Sequence, residues 1–133
     1  MNAEQILQGI IPIDRELIRC CTRITQEEAI ATNLKNGLRK AMTKHGVYLY
    51  EYSRQPEKHD RALNSIMSSC NDLIGIMGAL IPTDPEAEQV VSWENRREFE
   101  RILIARAAWV KAYEDRSKNG VLIFDSTGKE VVN

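Results

Sequence analysis

Apolar residues recur every three or four positions along most of the chain, and four prolines, Pro12, Pro56, Pro82 and Pro85, cut that pattern into lengths that suit helices. Such spacing makes one stripe of a helix apolar and leaves the rest polar, so the stripes must meet in a shared core. At 133 residues the chain is long enough for one domain with a single core. We therefore expect a mainly α domain spanning 1–133: an antiparallel bundle of three or four substantial helices.

The segment 3–24 is expected to be broken by Pro12, after which Ile13, Leu17, Cys20, Cys21 and Ile24 return at helical spacing. Thr25-Gln26-Glu27-Glu28 has the pattern of a capping box and is expected to open the second helix. That helix carries Ile30, Leu34, Leu38, Ala41, His45, Tyr48 and Tyr52 on one seam. Lys44-His45-Gly46-Val47 offers a competing stop, because glycine tolerates the left-handed conformation and basic residues suit a helix C-terminus. With a stop there, 47–53 becomes a tyrosine-rich strand and the fold becomes α+β. The continuous helix is preferred, since the seam survives the glycine.

Pro56 at a first-turn position is expected to start a third helix, which runs to about Leu80 with Ala62, Leu63, Ile66, Cys70, Leu73, Met77 and Leu80 as its stripe. Asp84 as N-cap and Pro85 at the first helical position are expected to start a fourth, reaching about Lys118 before Asn119-Gly120. Beyond it, Val121-Leu122-Ile123-Phe124 and Lys129-Glu130-Val131-Val132 flank a Gly-containing loop, and 121–133 reads as a β-hairpin.

Composition removes several function classes. The formal net charge is −1, so the chain lacks the overall basicity of a duplex-binding protein. No apolar run approaches the roughly 18 residues of a membrane span, and the first residues lack a secretory pattern, so no membrane association is expected. Three cysteines, Cys20, Cys21 and Cys70, two of them adjacent, make a poor disulfide set and fit a reducing, cytoplasmic setting. Zinc-type Cys spacing, HxH and HExxH are missing, so neither a metal nor another cofactor is expected. Nor are GxSxG, a phosphate-cradling glycine loop or paired carboxylates present, and no catalytic residue is assigned.

Arg106 is the most informative residue. It falls inside the apolar stripe of Phe99, Ile102, Leu103, Trp109, Val110 and Tyr113, where an unpaired guanidinium would be very costly. Either its stem packs in the core while its head meets an internal carboxylate or the surface, or it anchors an acidic partner or phosphate beside Trp109 and Tyr113. His45, on the second seam, reads as a hydrogen-bonded core histidine or a partner of a helix C-terminus. Ile104 and Ala108 lie opposite the main stripe of the fourth helix, which makes that helix apolar on two sides. The sequence thus points to a non-enzymatic protein that works through protein–protein interaction, as a homodimer or with a protein partner of unknown identity. Its contact residues would be Ile104, Arg106, Ala108, Trp109 and Tyr113. The alternative is a nucleic-acid or nucleotide-binding module using Lys35, Arg39, Lys40 and Lys44, although 25–55 holds a surplus of only two positive charges.

Overall fold

Four helices form where the apolar periodicity places them: α1 Ala3–Ile24, α2 Thr32–Arg54, α3 His59–Leu80 and α4 Trp93–Lys118. A computed structural model of the chain describes residues 1–118 and, beyond them, only the backbone of 123–124 and 130–131. The expected hairpin over 121–133, as a unit, lies outside the described residues. Between 1 and 118 the regular structure is entirely helical.

Two apolar layers set the topology. One gathers Leu17, Cys21 and Ile24 of α1 with Leu38 of α2, Leu73 and Met77 of α3, and Phe99 and Ile102 of α4. The other gathers Ile6, Leu7 and Ile10 of α1 with Leu49 of α2, Leu63, Ile66 and Met67 of α3, and Trp109 and Tyr113 of α4. The late half of α1 therefore meets the early halves of α2 and α4, and each helix runs antiparallel to its neighbour in sequence. α2 lies chiefly on α3, and α1 chiefly on α4.

Four boundaries or breaks differ from expectation. Pro12 does not break α1. Pro12 and Gln8 are both exposed, so the carbonyl that loses its partner faces water, while Ile6, Leu7, Ile10 and Leu17 are fully buried on either side of the proline. Asn2 starts this helix with a capping box to Gln5, accepting from the Gln5 amide at 2.9 Å. Thr25 does not open α2; it ends α1, its amide donating to the Cys21 carbonyl and its hydroxyl to that of Thr22. α2 begins instead at Thr32 and runs through Gly46 to Arg54, so 47–53 is helix and the α+β alternative is excluded. Pro56 and Pro85 both lie in turns before their helices: α3 starts at His59, and Asp84 accepts from the Glu86 amide in a turn well short of Trp93.

Glu27, next to the capping-box residue Glu28, caps a distant helix. Its carboxylate accepts from the Ser92 amide at 2.8 Å and from Asn95 Nδ2 at 2.7 Å, at the start of α4. There it also meets the positive end of the helix dipole. Burial pushes its pKa up, but the hydrogen bonds from Ser92 and Asn95 and the charge of Arg96 outweigh that and hold it below the ordinary carboxylate range. A carboxyl lowered in this way stabilises the fold above its unfolded pKa, and the stabilisation fades as pH falls through the folded value. Glu27→Gln is accordingly expected to lower stability at neutral pH and to flatten the acid limb of the stability–pH curve, read by urea denaturation across a pH series.

α1 and α4 approach closely at Gly9, where an added Cβ would run into the six-membered ring of Trp109. Gly37 and Gly75, by contrast, are exposed helical positions with nothing near an added Cβ. Gly9→Ala should therefore cost about 1–3 kcal/mol through overpacking. Gly75→Ala should gain about 0.5–1 kcal/mol from helix propensity. Paired denaturant melts would show the opposite signs.

Candidate functional site

Between the two apolar layers lies a slab of polar side chains, one or more from the middle of each helix. Asp14, His45, Ser69 and Arg106 are all buried, and Asp14 and His45 have no exposed surface. Arg106 Nε donates to Asp14 Oδ1 at 2.9 Å, and its Nη2 lies 3.5 Å from Met67 Sδ. The other carboxylate oxygen, Oδ2, is 3.0 Å from His45 Nε2. His45 Nδ1 is 2.7 Å from Ser69 Oγ, which in turn lies 3.3 Å from the Ile66 carbonyl.

One assignment of protons satisfies the chain of contacts with a neutral imidazole. Ser69 O–H donates to Nδ1, Nε2–H donates to Asp14, and Arg106 neutralises the carboxylate. Cys70 adds a sulfur to the same spot: its thiol lies within 4.8 Å of the Asp14 and His45 donor atoms. Burial, followed by the charge of Asp14, pushes this thiol well up, which keeps it protonated. Cys21 is pushed up to about 12 by burial and by Cys20, so it is not an activated nucleophile either.

Ser69, His45 and Asp14 follow one another in the order of a hydrolytic triad. Here, however, the acid is already neutralised by Arg106, and none of the three side chains reaches the surface. A substrate could meet the serine only if the bundle opened. A depression of about 390 Å³ bounded by Tyr50, Glu51, Arg54 and Gln55 lies at the far end of α2 and does not include His45.

The five residues expected at a partner contact separate into two groups. Arg106, only 2% exposed, faces inward on Asp14, which is the first of the two readings the sequence left for it. Trp109 and Tyr113 are half-buried on the same inner side, with Tyr113 O–H donating to Asn64 Oδ1 at 3.0 Å. Ile104 and Ala108 face outward, and Ile104 is 69% exposed. Of the basic residues on α2, Arg39, Lys40 and Lys44 are exposed and Lys35 is half-buried. Arg39 donates to Asn36, and Lys44 is 3.8 Å from Asp72.

Asp14 and Ser69 escaped the sequence reading, although a signal for each was present. Asp14 stands between Ile10 and Leu17 at the spacing of a buried stripe, and Ser69 stands likewise between Ile66 and Leu73. The test that singled out Arg106 applies to both. Among the described residues, no helix is long and apolar enough to cross a membrane. Comparison with family models, curated proteins and solved structures finds no match to this chain.

Because both charges of the Asp14–Arg106 pair are out of water, removing one leaves the other uncompensated. Arg106→Met is expected to cost about 3–5 kcal/mol of stability. The double variant with Asp14→Asn should cost markedly less than the sum of the two single changes. A double-mutant cycle by chemical denaturation reads this coupling, and additive losses would count against it.

Proposed function

We propose that the protein is not an enzyme and acts by protein–protein interaction, in the first place with a second copy of itself, through the outer face of α4. One observation carries this reading: Ile104, a large aliphatic side chain, stands 69% exposed on a helix whose other side is packed into the core. Among the described residues, the apolar character that the sequence places on two sides of α4 is thus packed on one side only.

Ile104 is not isolated. Trp93, 60% exposed, precedes it by about three helical turns on the same side, and exposed Ala108 follows one turn later. The Arg97 guanidinium sits 5.2 Å from the centre of the Trp93 ring. Tryptophan and arginine are residue types in which interface energy concentrates, and here they lie about 16 Å along the same helix face from the aliphatic Ile104. Arg106, Trp109 and Tyr113 support this face from behind by fixing the helix to the core, which is the part they take in the proposed contact.

The hairpin expected over 121–133 belongs to the same proposal. Two strands alone are marginal in water, so it would pack on the helices or pair with its counterpart in the second copy. A cytoplasmic setting fits too, since Cys20, Cys21 and Cys70 are all free and buried.

Ile104→Glu tests the proposal directly. Sedimentation equilibrium of the wild type is expected to give a concentration-dependent dimer, and the variant a monomer. Because Ile104 touches water rather than core, far-UV circular dichroism should stay nearly unchanged, and the melting temperature should match that of the wild type diluted to monomer. A wild type that is monomeric at every concentration, or a variant that dimerises as well as the wild type, would overturn it.

A further inference from the structure

Asp14, His45 and Cys70 come from three different helices, yet a carboxylate oxygen, an imidazole nitrogen and a thiol sulfur converge within 4.8 Å of one another in the core. Hydrogen bonding explains the Asp14–His45 contact. The Cys70 thiol is itself hydrogen-bonded to Asp14, weakly as thiols are, and this brings the sulfur into one cluster with the carboxylate and the imidazole. Carboxylate, imidazole and thiolate together are a donor set for zinc and similar borderline cations. Around a tetrahedral ion with bonds of about 2.0–2.3 Å, such donors stand roughly 3.3–3.6 Å apart, so the sulfur would need to close by up to about 1.2 Å, while Asp14 Oδ2 and His45 Nε2, 3.0 Å apart, would open by about 0.3 Å.

Two further contacts have the form of an outer shell. Ser69 Oγ, 2.7 Å from Nδ1, leaves Nε2 as the nitrogen turned to the centre. Arg106, 2.9 Å from Oδ1, leaves Oδ2 of Asp14 turned the same way. Ligating histidines and carboxylates are commonly held through their second atom in this fashion. The expectation of no metal rested on spacing within single segments, which is blind to donors carried by separate helices.

We propose that Asp14 Oδ2, His45 Nε2 and Cys70 Sγ form a three-ligand site for a divalent d-block cation of the zinc type. Binding exchanges one proton for the ion. Without metal, Nε2–H donates to Asp14, Ser69 O–H donates to Nδ1, and Cys70 keeps its proton. With metal, the imidazole carries its proton on Nδ1 and donates it to Ser69 Oγ. The serine hydroxyl turns to the Ile66 carbonyl, already 3.3 Å away. The thiol proton leaves for solvent, the thiolate and carboxylate balance the ion's two charges, and no electron is transferred. Arg106 then stands as an unbalanced cation beside the site and weakens the binding.

Cobalt(II) and zinc added to the full chain test this, both on the folded protein after chelator treatment and during refolding. The expected result is one cobalt per chain, with a near-ultraviolet thiolate-to-cobalt charge-transfer band, release of one proton and displacement by zinc. Cys70→Ser should abolish the band. Cys20→Ser should keep it, because Cys20 is equally buried but its sulfur points to the Asn95 carbonyl. Zinc should also raise the melting temperature of the wild type and leave that of Cys70→Ser unmoved. If Cys70→Ser does not fold, His45→Gln takes its place, with the same loss expected. Absence of the band under both loading conditions, its survival in the ligand variants, or its equal loss in Cys20→Ser would overturn the proposal.

Discussion

The Asp14–Arg106 ion pair is the contact on which the arrangement of the bundle depends. Apolar stripes alone tolerate sliding, because a helix displaced by one turn presents much the same surface. A buried carboxylate and a buried guanidinium do not tolerate it. Moving α4 by one turn against α1 would carry Arg106 about 5.4 Å from its partner and leave two charges in the core with nothing to balance them. His45 and Ser69 extend the same demand to α2 and α3, since each must stand where its neighbour's donor or acceptor is. The apolar layers above and below supply the hydrophobic stabilisation, and the polar slab fixes which residues face one another.

The ends of the helices obey a similar division between local and distant partners. Asn2 and Gln5 cap α1 from within four residues of sequence. The start of α4 is capped by Glu27, 65 residues from Ser92. Thr25, the N-cap of the box that Thr25-Gln26-Glu27-Glu28 spells, closes α1 instead, and α2 starts later, at Thr32 behind Ala31, with no side-chain cap of its own. Exposed ion pairs add further ties, such as Arg101 to Glu16 across α1 and α4 and Arg116 to Asp60 across α3 and α4. Being solvated, they are worth much less than the cap or the buried pair.

Periodicity made the interior of each helix legible from the sequence. The stripe from Leu63 to Leu80 is buried as its spacing implies, and the seam of α2 does pass through Gly46. Boundaries were less legible, because proline and capping signals state what a segment can do locally, whereas tertiary contacts decide what it does. Pro12 shows this well: buried Ile6, Leu7 and Ile10 before it and Leu17 after it hold the helix together at the loss of one backbone hydrogen bond. The candidate site was half legible. Arg106 on the stripe made an internal carboxylate one of its readings, but the chain holds 19 acidic residues, and only packing selects Asp14 among them. Ser69 and Cys70 looked like ordinary members of an apolar stripe, since their role comes from which helix lies opposite.

The ion pair also bears on the surface. Ile104 and Arg106 are two residues apart on α4 and so point about 200° away from each other. A rotation of α4 that drew Ile104 into the core would carry Arg106 out towards water and strand Asp14. The chain cannot relieve the exposed isoleucine by repacking this helix without breaking its central contact. The apolar character of the outer face is therefore held in place from inside, and the chain's own four helices cannot bury Ile104 without giving up that contact.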